Sequence, residues 1–85
     1  MKFRFISDPG HGWVEVPMSL VALLGIAGKI SKYSYRRGEY AYLEEDCDAA
    51  EFVQAMKAAN FGYEIDYVYE DATSPIRSYA RFSGV

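Results

Sequence analysis

Phe3 and Phe5 alternate with Lys2, Arg4 and Ile6 at the start of the chain. A period of two puts alternate side chains on opposite faces, so residues 2 to 7 predict a half-buried strand with its phenylalanines inward. Trp13-Val14-Glu15-Val16 predicts the hairpin partner, with Asp8-Pro9-Gly10-His11-Gly12 as the connection. Proline presets φ and glycine tolerates positive φ, so Pro9-Gly10 predicts the centre of a type II turn.

Pro17 opens a short helix, where a missing N–H is harmless, and Leu20, Leu23 and Leu24 share a predicted inner face. Gly25 stands where a left-handed cap belongs, with Ile26 as its apolar contact. Two alternating runs, 32–35 and 39–43, flank Arg36-Arg37-Gly38 and predict a second hairpin. Its Tyr33, Tyr35, Tyr40 and Tyr42 would share one face, and Ala41 and Leu43 the other. Asp48-Ala49-Ala50-Glu51 has the spacing of a capping box. Behind it, Ala49, Phe52, Val53, Met56 and Ala59 recur at helical spacing, with an end expected between Asn60 and Gly62. Residues 63 to 70 alternate again as a fifth strand, and Ala72-Thr73-Ser74-Pro75 interrupts it. The order is ββαββαβ, an α+β fold with a small, mostly antiparallel sheet and two helices. Residues 72–85 are expected as an extended tail or a short edge strand.

Eighty-five residues predict a single domain spanning 1–85. A hydrophobic share of 51% is too high for a disordered chain. The eight tyrosines suit half-buried and interfacial positions, where an apolar ring carries a polar tip. A net charge of −3 argues against general affinity for nucleic acid. The charges are nevertheless sorted. Lys29, Lys32, Arg36 and Arg37 form a basic block, and Glu44, Glu45, Asp46, Asp48 and Glu51 an acidic one. Glu64, Asp66, Glu70 and Asp71 follow as a second acidic run, and Arg77 and Arg81 make the tail basic. No apolar run reaches the ~20 residues of a membrane span, and the charged N-terminus lacks a signal-peptide pattern. A cytoplasmic protein is expected.

The candidate chemistry is sparse. His11 is the only histidine, and one histidine with scattered carboxylates makes a poor metal site. Cys47 is the only cysteine, which excludes an internal disulfide, and acidic neighbours oppose its activation by the following helix. A His11–Cys47 nucleophile pair has the right residue types, but nothing in the sequence places the two together. The glycine spacing around His11 lacks the strand-to-helix context of a phosphate loop. The reading is therefore not an enzyme, with no catalytic residue, metal or cofactor expected.

Helix capping accounts for Asp48 and Glu51, but Glu44, Glu45 and Asp46 exceed what one helix end requires. With Glu64, Asp66, Glu70 and Asp71, and with Tyr40 and Tyr42 as anchors, they are the expected partner-binding residues. The alternative is nucleic-acid binding through Lys29, Lys32, Arg36, Arg37, Arg77 and Arg81, because KISKYSYRR and RSYARF interleave basic and aromatic residues that can contact phosphates and stack bases.

DPGHGW, KYSYRRGEYAYLEEDCD and SPIRSY together resemble a group of small proteins carried by bacteriophages, plasmids and other mobile elements. The likeness spans nearly the whole chain. It implies an inhibitor of host defence, in the manner of anti-CRISPR proteins, that acts by occupying a partner's surface. Together with the acidic residues above, the expected partner is a host protein or ribonucleoprotein whose basic nucleic-acid-binding surface is occupied by a monomer or homodimer of this chain. WVEVPMSLVALLGIAGKI, within residues 13 to 43, is similar to the AbrB-like swapped-hairpin domains, and that likeness implies a dimeric DNA-binding regulator.

Overall fold

The computed structural model describes residues 1–83. Six strands form one sheet, β1 (Lys2–Ser7), β2 (Gly12–Pro17), β3 (Tyr35–Arg37), β4 (Tyr40–Glu44), β5 (Glu64–Tyr69) and β6 (Ala80–Arg81), in the spatial order β5-β1-β2-β4-β3-β6. Every pairing is antiparallel except that of β1 with β5. Two helices, α1 (Met18–Leu23) and α2 (Ala49–Ala58), complete an α+β fold in the expected element order. Among the described residues no helix is long and apolar enough to cross a membrane.

The strand alternation sorts the core onto two faces. Phe3, Val14, Val16, Ala41 and Leu43 lie on one, under Val21 of α1 and Phe52 and Met56 of α2. Phe3 meets Phe52 edge to face with centroids 5.1 Å apart, a preferred aromatic geometry. The opposite face carries a smaller cluster, Ile6, Trp13 and Tyr42, closed by Ile76. Ile76 belongs to a one-turn 3-10 segment, Pro75–Ser78, from which the tail continues into β6 beside β3. The tail is thus an ordered arm with a short edge strand; Gly84 and Val85 lie outside the described residues.

Both helices stop on left-handed residues. Gly25 has φ +69°, its N–H bonds to the Ala22 carbonyl, and the Ile26 N–H reaches back to Val21. Asn60, at φ +59°, ends α2 in the same way, with Asn60 and Phe61 bonding to Lys57 and Met56. These paired bonds satisfy carbonyls that a helix end leaves open.

Several local expectations are corrected. Gly10 does not adopt positive φ, so Pro9-Gly10 is not a type II turn; Asp8 shapes the loop instead. Its Oδ1 accepts from the Gly10 and His11 N–H groups, both at 2.9 Å. Leu23 is exposed and Val21 is buried in its place, because so short a helix offers the core only part of one turn. The second hairpin turns on Gly38-Glu39, not on three residues, because Arg37 pairs with Tyr40. Gly38, at φ +58°, takes the first central position, which is where a primed two-residue turn needs glycine. Tyr33 precedes β3 and does not join the aromatic face. Asp48 makes no capping-box bond. Its carboxylate accepts from the Ser31 N–H, the Ser31 hydroxyl and the Ser34 hydroxyl, fastening the 31–34 loop under α2.

Candidate functional site

The register places chemistry at one end of the sheet. Ser7 pairs with Gly12 and with Tyr69, and Trp13 pairs with Glu44. The ends of β1, β4 and β5 and the start of β2 therefore lie side by side. Glu45 donates its N–H to the Gly12 carbonyl and Glu70 donates to that of Ser7, extending the row beyond the strands. The two acidic runs, separated in sequence by all of α2, thus finish on one rim. Three strand spacings, about 14 Å, separate them. Glu45, Asp46 and Asp71 are exposed and Glu70 is half-buried. Tyr69 stands beside them, exposed. Glu64 and Asp66 run down β5 away from the rim and pair with Lys2 and Arg4 of β1. No described strand covers the outer edge of β5. Tyr67 rises there, 76% exposed, on the face opposite the acids.

Two expected partner-binding residues, Tyr42 and Glu44, are structural. Tyr42 is buried and donates to Glu15 Oε2 at 2.9 Å, while Arg4 grips Glu15 through two bonds of 3.0 and 2.8 Å. Burial, then the bond to Glu15, pushes the Tyr42 hydroxyl pKa up. Glu44 is also buried, and its Oε2 accepts from the N–H groups of Asp46 and Cys47. With one oxygen turned inward to hold a loop and little of its side chain exposed, Glu44 is not a surface contact for a macromolecular partner. Tyr40 is exposed but sits on β4 at the far end of the sheet, away from the rim. The exposed tyrosine at the rim is Tyr69, and Tyr67 is exposed on the same edge strand, on the face away from Glu64 and Asp66. Their alternation was visible in sequence, but edge position depends on strand order, which no local pattern carries.

The basic candidates are divided as well. Arg36 and Arg37 close β3 at the opposite end of the sheet from the rim. Arg37 lies over the Tyr79 ring at 5.1 Å and Arg81 over Tyr35 at 4.8 Å, within cation–π range. Lys32 is exposed before β3, and Lys29 is exposed in a separate 3-10 turn. Arg77 is committed elsewhere. Its Nε and Nη2 bond Asp8 at 2.7 and 2.8 Å, and its guanidinium covers Trp13 at 5.6 Å.

Beside the rim the sheet opens into a cleft of about 470 Å³, with the strand residues Trp13 and Tyr35 in its lining. His11, Tyr33, Glu44, Asp46, Cys47, Arg77 and Arg81 complete that lining. His11 and the carboxylates are therefore not scattered. His11 Nδ1 lies 3.5 Å from Glu44 Oε1, and the ligand atoms of His11, Glu44 and Asp46 all fall within 4.8 Å of one another. His11 and Cys47 both line the cleft, but no hydrogen bond links them among the described residues. Desolvation, then Glu44 and the nearby acids, pushes the Cys47 thiol pKa up, the opposite of what a nucleophile needs. The buried Trp13 Nε1–H has no hydrogen-bond partner among the described residues.

Comparison with known protein families, curated proteins and solved structures finds no match for this chain.

Proposed function

We propose that this chain is a non-enzymatic binding protein of a mobile element, which inhibits a host nucleic-acid-handling machine by seating its acidic rim in a basic groove. The observation that carries the reading is the convergence of two sequence-distant acidic runs at one end of the sheet, beside exposed Tyr69. Grouped carboxylates offer a basic groove some of the field of a phosphate backbone and speed the encounter. Tyr67 and Tyr69 supply large, stiff contact area of the kind that dominates interface energies.

The test is reversal of Glu45 and Asp71 to Lys, both of them exposed on the rim and outside the core. A protein captured by the parent from nuclease-treated bacterial lysate should lose its nucleic-acid binding when the parent is added. It should escape the reversed variant while that variant keeps its circular dichroism. Unchanged capture by the reversed variant, or undisturbed nucleic-acid binding by the captured protein, removes the proposal.

A second reading rests on the Arg37–Tyr79 and Arg81–Tyr35 pairs. It makes the chain a nucleic-acid-binding regulator, in which guanidinium groups contact phosphates beside stacking rings. DNA retardation that weakens steeply with salt supports it, and absence of retardation at low salt dismisses it.

A further inference from the structure

We infer that His11, Glu44 and Asp46 form a binding site for a divalent first-row transition ion such as Zn²⁺ or Mn²⁺. An imidazole nitrogen with two carboxylates is a ligand set for such ions, with the remaining positions left to water or a further ligand. Ligand atoms around a tetrahedral zinc lie about 3.4 Å apart, as its bond lengths require. His11 Nδ1 and Glu44 Oε1 are already 3.5 Å apart, and the full set spans no more than 4.8 Å. Closing onto an ion asks for movement chiefly from Asp46, whose side chain is exposed on a loop.

The supports are in place before any ion arrives. Glu44 is buried, and two backbone N–H groups hold its Oε2 at 2.9 Å, leaving Oε1 as the oxygen nearest His11. Such outer hydrogen bonds orient ligands and raise metal affinity. The His11 backbone is fixed in turn by Asp8 Oδ1. Of the cations lining the cleft, Arg77 is neutralised by Asp8 and Arg81 is stacked on Tyr35. Glu44 and Asp46 thus face an incoming ion with little competition. The ion's open positions would face the cleft and its aromatic lining.

This site does not rest on the inhibitor reading, and the variants that test that reading leave all three ligands intact. The experiment titrates untagged full-length protein with Zn²⁺ and Mn²⁺ by calorimetry, and follows the imidazole resonances by NMR. Because His11 is the only histidine, those signals report one residue. One saturable site is expected, with a shift of the His11 resonances. Affinity should fall at least tenfold in both His11→Ala and Asp46→Asn, whose folding is checked by circular dichroism, and should be unchanged in Glu39→Gln, an exposed acid in the hairpin turn at the other end of the sheet. Absence of saturable binding at millimolar ion overturns the inference. So does affinity retained in His11→Ala and Asp46→Asn, or lost in Glu39→Gln.

Discussion

Asp8 accepts five hydrogen bonds, from the Gly10, His11 and Ser74 N–H groups and twice from Arg77. Its side chain is fully buried, so the charge is held by partners and not by water. The Arg77 bonds first, then the Ser74 N–H, keep its carboxyl pKa well below the usual carboxylate range. A group with a depressed folded pKa stabilises fully above its unfolded pKa, and the contribution is lost as pH falls toward the folded value. Asp8→Asn should therefore be less stable than the parent at pH 7, with the difference shrinking as pH falls below about 4. Urea unfolding across a pH series measures this, and a difference constant with pH would assign the loss to shape instead of charge. Gly12 poses a steric demand nearby, since a Cβ there would stand 2.5 Å from the Phe5 ring. Gly12→Ala should cost about 1–3 kcal/mol, the range for overpacking a fitted site. Gly10→Ala meets only the end of the Arg77 side chain, at 2.6 Å. It should act by displacing that guanidinium from Asp8.

Among the elements, the helix ends are where chain chemistry and backbone geometry agree most closely. Gly25 fits a left-handed cap, whereas Asn60 fills the same role with a side chain that tolerates the conformation less well than glycine does. Asn60→Gly should stabilise the protein by up to about 1 kcal/mol, and Asn60→Ala should weaken it by about the same amount. Chemical denaturation of the pair checks both signs. The Gly25 cap was legible in sequence, as were the approximate end of α2, the Phe3/Phe5 strand and the Phe52/Met56 helix face, because each follows from residues within one turn or one strand. What was not legible depended on partners far along the chain. Asp48 has capping-box spacing, but its carboxylate is claimed by Ser31 and Ser34. Glu44 reads as one more surface acid until strand pairing sets it beside Trp13 and turns it inward. His11 and Asp46 meet only because β2 lies between β1 and β4, a neighbour relation that periodicity leaves open.

For the molecule as a whole, the tail decides whether the sheet has one covered face or two. Its helix-bearing face is buried by α1 and α2, while the other would leave Ile6, Trp13 and Tyr42 to water without Ile76. Ile76 is 2% exposed. Around it the tail is fastened by Ser74 and Arg77 to Asp8, and by β6 and Phe82 to β3 and Ser34. The cleft inherits this dependence, since Trp13 and Tyr35 in its lining pack in the cluster that Ile76 closes, and Arg77 and Arg81, which also line it, belong to the tail. Ile76→Ala should thus cost about 2–5 kcal/mol, as truncations of buried aliphatic side chains do. Trp13 is the only tryptophan, so its emission reports on this face alone and should shift to the red in the folded variant as water reaches the indole. A loss of stability with unchanged Trp13 emission would mean that the cavity stays dry and the aromatic lining of the cleft is held by the strands themselves. A red shift together with weaker ion binding would show that a side chain on the tail maintains a site whose ligands all come from other segments.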